Sequence, residues 1–489
     1  MRLHRSAPIW LCLGAAFSGC GGQASTSNSD AGGTGSNEPS GGTTSAGVGS
    51  ALAAGGAGGE AGGEAGGQGG AGGATSFELL GAPLLFAPTA TSVGINAVLV
   101  TGSPAQLVAR IRATGATEWG APIAAERVGE DVAEWRLSGL SPATRYEYEV
   151  VAQDQASEQV LYAGSLNTQR PPGDAFTFAL LTDSHIGSDL TFGNQGVPET
   201  LIAVAEDIAS DSPDFMVNLG DMLDFHKYGF NDPPPDGGVT RLAYLNYRTL
   251  LGPTLGQVPH YAVIGNWEGE NGDYTAEAIA WSRAQRLLYM PNPEPSTYPE
   301  GGSPNEDYYA FTWGDALFVV LNVMTYTPTS HLLSYEPGVP DDWTLGKEQF
   351  AWFEETLQNA VSKWRFVLIH HAVGGASPSS NDAAYGRGGG QAAYVGEQAL
   401  VHQLMLDYGV QIFFYGHDHV FTDLVVDGIH YSMPGNAGAP WMFTSAETGY
   451  ADDVTWIEPG HARVDVTPDG VDVQFLGLGN TPLYGYRVE

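Results

Sequence analysis

From about residue 77 the chain alternates apolar and polar positions in short runs: "INAVLVTG", "LVARIRAT", "VAEWRLSGL", "TRYEYEVVAQD" and "LYAGSLNTQ". Turn residues close each run, and period-two runs at this spacing predict strands of a small all-β sandwich. The "PPG" at 171–173 ends that region. Beyond it the rhythm changes. Strand-like runs are followed by amphipathic helical ones: "FTFALL" by "VPETLIAVAEDIA", "DFMVNL" by "VTRLAYLNYRTLL", and "HYAVI" by "AEAIAWSRAQRLL". Further on, "KEQFAWFEETLQNAV" precedes "WRFVLI", and "QALVHQLMLDYG" precedes "VQIFFY". This alternation predicts an α/β domain over 172–489. "YYAFTWGDALFVVLNV" and "HARVDVTPDGVDVQFLG" read as hairpins, so the sheet is expected to be mixed.

The first 76 residues carry neither pattern. Residues 1–20 hold Arg2 and Arg5, an apolar run too short to span a bilayer, and a small-residue step into Cys20. They resemble a lipoprotein signal, with Cys20 as the residue lipidated after cleavage and Phe17 where that motif usually has Leu. Residues 21–76 are dominated by Gly, Ala, Ser and Thr and cannot bury enough apolar surface to offset their ordering entropy, so they are expected to form a disordered linker. Cleavage at Cys20 removes Cys12, the other of the 2 cysteines, and leaves no disulfide pair. An exported protein is expected: an outer-membrane or cell-surface lipoprotein, or a periplasmic or secreted one. The formal charge of −36 argues against a nucleic-acid partner. Oligomeric state is not legible.

Chemistry enters at the ends of the apolar runs. "FTFALLTDSH" delivers Asp183 and His185, "FMVNLGD" delivers Asp221, and "YAVIGN" delivers Asn266. "WRFVLIHH" delivers His370 and His371, and "QIFFYGHDH" delivers His417 and His419. In open α/β folds functional groups gather at the carboxyl ends of strands, so residues far apart in sequence should converge. Carboxylate and imidazole donors without thiolate suit Fe, Mn or Zn. A single Gly-Asp pair is uninformative; Gly314-Asp315 reads as an ordinary turn.

Taken in order, D-x-H, GD, GN, H and GHxH resemble the metallophosphoesterase superfamily, and with the preceding all-β region its purple acid phosphatase-like branch. "LSGLSPATRYEYEV" resembles a fibronectin type III signature, which places a fibronectin type III-like domain at 77–171. The resemblance implies a metallophosphoesterase-type mixed β-sandwich flanked by helices. It implies that Asp183, His185 and His419 hold one metal ion, that Asn266, His370 and His417 hold another, with His371 as the fallback for His370, and that Asp221 bridges them. The implied activity is metal-dependent phosphoric ester hydrolysis by a metal-activated water, first of a small phosphomonoester, with a phosphodiester as the alternative. A third reading is a non-catalytic surface protein that binds metal or phosphate.

Two departures bear on that activity. The tyrosine of purple members would fall at Asp224, so no Fe(III)–tyrosinate site is expected. The histidine that usually follows the GN asparagine is Trp267 in "GNWE", and an indole cannot shuttle a proton. Loss of a general acid costs about 10²–10⁴ in rate. Replacement candidates are His226, His331 and His371, with Arg387 in "AYGRGGGQ" as a phosphate clamp.

Overall fold

The computed structural model describes residues 77–103, 106–127, 129–154, 157–188, 190, 196–224, 238–272, 274–326, 344–371, 397–443 and 455–489. Cys20, His226, His331 and Arg387 lie outside the described residues. No helix among the described residues is long and apolar enough to cross a membrane.

From Phe176 onward the chain is a mixed α/β structure in which two sheets face each other. In the first, Phe176–Leu181 lies parallel to Phe215–Asn218, which lies parallel to His260–Ala262. Gly460–Thr467 adds antiparallel on the other side and carries Gly470–Gly477 and Thr481–Val488 outward. In the second, Ala316–Val320, Trp364–Leu368, Ile412–Phe414 and Ile429–Pro434 run parallel in that order. Tyr309–Trp313 and Phe421–Val426 pair antiparallel with Ala316–Val320 and Ile429–Pro434.

Aromatic side chains from both sheets fill the space between them. Phe178 stacks on Phe215 at 5.3 Å and meets Phe318 of the facing sheet edge-on at 5.1 Å. Truncating a ring of this kind to alanine costs about 3–5 kcal/mol. Helices cover the outer faces. Pro198–Asp211 starts with Pro at its first turn and buries Leu201, Val204, Ala205 and Ile208, the stripe expected of a helix against a sheet. Ser212, at φ 50°, stops it. Ala276–Tyr289 is capped by Thr275, whose side chain accepts from Ala278 N at 3.2 Å. Gly346–Asn359 and Glu397–Asp407 cover the second sheet.

The N-terminal region is β-rich. Ser92–Thr101 and Val132–Ser138 pair antiparallel, and Leu107–Ala113, Arg145–Asp154 and Ser157–Asn167 form a separate sheet facing them. Trp135, Tyr148 and Val150 lie in the core between. The first of these sheets does not end within the N-terminal region. Leu84–Phe86 pairs parallel with His260–Ala262 through Phe86 and His260, so one continuous sheet runs through both regions. Arg248, fully buried, donates to Asn96 O at 2.8 Å and Tyr289 O at 2.9 Å, and Tyr148 Oη donates to Gly256 O at 2.9 Å.

Candidate metal centre

Each of the seven predicted ligands sits just beyond a strand of one of the two sheets. Asp183 and His185 follow Phe176–Leu181, and Asp221 follows Phe215–Asn218. Asn266 follows His260–Ala262, His370 follows Trp364–Leu368, and His417 and His419 follow Ile412–Phe414. Backbone bonds lock these loops together: Asp183 N donates to Gly220 O at 3.0 Å, His185 N to Asp221 O at 2.9 Å, and Gly416 N to His370 O at 2.9 Å.

The turns are sharp. Asp183, His185, Asp221, His417 and His419 all have positive φ, between 51° and 82°. Left-handed conformations are costly for such residues and persist where the surroundings impose them. Gly265 allows the closest approach, because a Cβ there would lie 2.2 Å from Asp221 Oδ1. Gly314, in the Gly-Asp pair of the turn between Trp313 and Ala316, lies instead beside Phe176 and away from the ligands.

Two groups result. Asp183, His185, Asp221 and His419 bring one donor atom each within 4.8 Å of one another, all buried; Asp221, His370 and His417 do the same. Asp221 belongs to both. In the first group His185 Nε2 and His419 Nε2 are 3.0 Å apart, and His419 Nε2 is 3.5 Å from Asp183 Oδ1. In the second, His370 Nε2 is 3.1 Å from Asp221 Oδ2 and 3.3 Å from His417 Nδ1. The Asn266 side chain closes that group, with its oxygen 3.1 Å from His370 Nε2 and 3.0 Å from His417 Nδ1.

The sequence profile of the calcineurin-like phosphoesterase family matches residues 176–421, just over half of the chain, and that span holds both groups. The chain belongs to this family. No curated protein matches it. Among solved structures, the GAP50 anchor of the Plasmodium inner membrane complex is 16% identical, with a TM-score of 0.40 over 64% of this chain and 89% of that one. The sensor domain of the anti-sigma factor RsgI4 of Pseudobacteroides cellulosolvens is 14% identical, with a TM-score of 0.15 over 20% of this chain and 95% of that one. The FN1-FN3 domains of chicken CNTN1 are 15% identical, with a TM-score of 0.15 over 22% of this chain and 38% of that one. These scores are too low to carry an argument.

The tautomers suit the divalent cations expected of a calcineurin-like phosphoesterase. A carbonyl can only accept, so His419 Nδ1 donates to Trp441 O at 2.8 Å and His370 Nδ1 donates to Leu219 O at 2.9 Å. A neutral ring then presents a bare lone pair at Nε2. The His419 lone pair meets His185 Nε2, and the His370 lone pair meets Asp221 and Asn266 oxygens. Around His370, acceptors facing acceptors in a buried site call for a cation or a proton. The Asn266 amide tells the same story. Turned over, its nitrogen would donate to Asp221 Oδ2, His370 Nε2 and His417 Nδ1, and its oxygen would accept from Trp267 Nε1 at 2.7 Å. That orientation suits a metal-free site in which the His370 ring is neutral. With the oxygen inward, Asn266 would be able to serve as a ligand.

Electrostatics without metal agree. Burial, and then the Asp221 charge, push Asp183 up to about 8 against the pull of His370. Burial draws His185 down to about 4 and His419 well below its usual value, so both stay neutral and able to ligate. Burial is the largest influence on His370 and opposes its charge, but the charge and hydrogen bond of Asp221, with Asp183 and Glu268 behind them, together raise the ring to about 9.

The other predicted residues lie around this centre. His371 is buried outside both groups, its ring 4.4 Å from that of His417. Asp224 is buried and belongs to neither group. Trp267 N donates to Asp221 Oδ1 at 2.9 Å, and its ring meets His185 edge-on at 4.9 Å. Sequence reasoning missed Glu268. Fully buried, it accepts from Asp221 N, Met222 N and Leu223 N at 3.1, 2.6 and 3.2 Å, and from Gly265 N at 2.5 Å. It also missed Asn436, whose amide donates to His419 O at 3.0 Å. An acid between the glycines of "GNWEGE" was the available signal for Glu268; Asn436 gave none beyond its place in "PGNAG".

Proposed function

We propose that this chain is a dinuclear metal-dependent phosphomonoesterase. The observation that carries the reading is the sharing of Asp221 between two ligand groups. Asp183, His185 and His419 would hold one ion and Asn266, His370 and His417 the other, with Asp221 between them. Two such cations about 3.5–4 Å apart neutralise phosphoryl charge and acidify a water. The chain's own part is to fix that geometry. Trp441 O and Leu219 O orient the His419 and His370 rings, and Glu268 holds the loop that presents Asp221. Burial of the ligand oxygens and nitrogens strengthens every charge interaction within the site.

Among the described residues beside Asn266, Trp267 takes the place from which a histidine would donate a proton. That favours substrates whose leaving group departs unaided, and it keeps a non-catalytic phosphate-binding role as the second reading. The test is phosphate release from 4-nitrophenyl phosphate by the metal-loaded full chain, beside bis(4-nitrophenyl) phosphate and an Asp221→Asn control. Release from the monoester that the control loses supports the reading. Cleavage of the diester alone would replace it with a phosphodiesterase. Metal binding without release from either would leave the binding role.

A further inference from the structure

The side of the centre nearest His185 and His419 is walled by aromatic rings. Trp441 lies 5.1 Å from His185 and 5.2 Å from His419, Trp267 lies 4.9 Å from His185, and Phe443 lies 5.3 Å from His419. The two indoles are 5.5 Å apart and inclined at 46°, which makes a wedge rather than a closed stack. Both are half-buried, whereas His185, His419 and Asp183 are buried. Each indole-bearing residue is tied to a ligand through its backbone: Trp441 O accepts from His419 Nδ1, and Trp267 N donates to Asp221 Oδ1. The wall therefore keeps its distance from the reacting centre.

This geometry has a chemical consequence. The wall can stack on an aromatic group, but an indole supplies no transferable proton. An alkyl alkoxide, whose alcohol ionises about as reluctantly as water near 16, leaves poorly without one. An aryloxide leaves far more readily, because a phenol ionises near 10, as tyrosine does. The step then balances without an acid from the chain. Water adds its oxygen to phosphorus, the phosphorus–oxygen bond to the ester breaks, and the bonding pair departs on the aryloxide. The proton lost by the water passes to solvent. A ring that stacks well and leaves unaided satisfies both features of the wall.

We propose that Trp267 and Trp441 form a leaving-group subsite, and that the substrates are phosphomonoesters of aromatic alcohols. This rests on the monoesterase reading above and narrows it. Polar contacts to the phosphoryl group come from the ligand side, and the ring lies against the indole faces. Aromatic stacking of this kind discriminates by about tenfold.

Binding of stable analogues tests the subsite apart from turnover. Benzylphosphonate and ethylphosphonate place their carbon chains where the ester group would lie, and inorganic phosphate has no such chain. Titration calorimetry on the metal-loaded full chain should find benzylphosphonate about tenfold tighter than ethylphosphonate. In Trp441→Ala that gap should close to less than threefold while phosphate still binds. Trp441→Leu keeps apolar bulk without the indole and should give an intermediate gap if the alanine variant loses phosphate binding. Equal affinity of the two phosphonates for the parent overturns the subsite. So does a gap that both variants retain. Phosphate release is read separately: no turnover of any ester, with the benzyl preference intact, would overturn the monoesterase reading and leave the subsite standing. Turnover of phenyl and ethyl phosphates at similar rates, with no binding preference, would overturn the subsite alone.

Discussion

Glu268 accepts the backbone N–H of Asp221 at 3.1 Å and that of Gly265 at 2.5 Å, joining two metal loops through one buried carboxylate. Asp221 has φ 52°, so its loop is held in a conformation it would not choose alone. Burial, and then the Asp221 charge, raise Glu268 to about 7, with the backbone N–H groups pulling the other way. In Glu268→Gln one oxygen becomes an NH₂ group that faces N–H donors. We expect metal affinity, measured by chelator competition, to fall about ten- to hundredfold. Denaturant unfolding should show a loss of about 1–3 kcal/mol for the stranded donors. Unchanged metal affinity in a folded variant would remove Glu268 from the positioning role.

Gly265→Ala probes the same junction from the other side. The added Cβ would lie 2.2 Å from Asp221 Oδ1, 2.3 Å from Asp221 N and 2.8 Å from Glu268 Oε2, so the Asp221 loop itself must move. The clash is confined to the ligand loops, and the strands behind them need not shift. The expected outcome is reduced metal content by elemental analysis, with far-ultraviolet circular dichroism unchanged. Full metal content would show that the loops absorb the methyl group.

The sheets and helices were legible because their signals are local. A buried stripe at helical spacing marks Pro198–Asp211 wherever it packs, and the hairpin through Gly314 is marked by its turn. The candidate ligands were legible too, because each follows an apolar run and carries metal-binding chemistry. What the sequence hid is long-range. Nothing in Leu84–Phe86 announces a parallel pairing with His260–Ala262, which depends on a strand partner far along the chain. Phe421–Val426 and Ile429–Pro434 were not read as a hairpin, since polar Thr422, Asp423, His430 and Ser432 break the apolar pattern although Thr422 and Ser432 are fully buried. Glu268 was not singled out, because most of its partners are backbone groups of a segment 45 to 47 positions away.

Metal loading should be visible at Trp267. In the metal-free site the Asn266 oxygen can accept from Trp267 Nε1; as a ligand, that oxygen turns inward and leaves the indole. Indole ¹⁵N–¹H spectra of the chelated and the reloaded protein should therefore differ at one resonance, which Trp267→Phe removes. Removing metal should also lower the unfolding temperature, because ions that bind only the folded state add about 4 kcal/mol at 1,000 times their dissociation constant. An indole resonance indifferent to metal would argue that Asn266 does not ligate.

Two buried histidines outside the metal centre should make the protein sensitive to mild acid. Burial, with Arg248 nearby, lowers His260 to about 3, and burial lowers His461 to about 4 with Arg463 adding to it and Asp207 opposing. Among the described residues, neither ring nitrogen of His461 has a hydrogen-bond partner. Each ring is neutral when folded but gains a proton near 6.5 when unfolded. Between 6.5 and the folded value the unfolded chain binds more protons, so stability falls as pH falls; above 6.5 the effect vanishes. For His461 the loss between pH 7 and pH 5 is about 2 kcal/mol. The measurement is the difference in unfolding free energy between His461→Leu and the parent at those two pH values. It should shift by that amount in favour of the variant at pH 5. A difference that stays constant would mean that the folded protein admits the proton, and that His461 is not sealed from solvent.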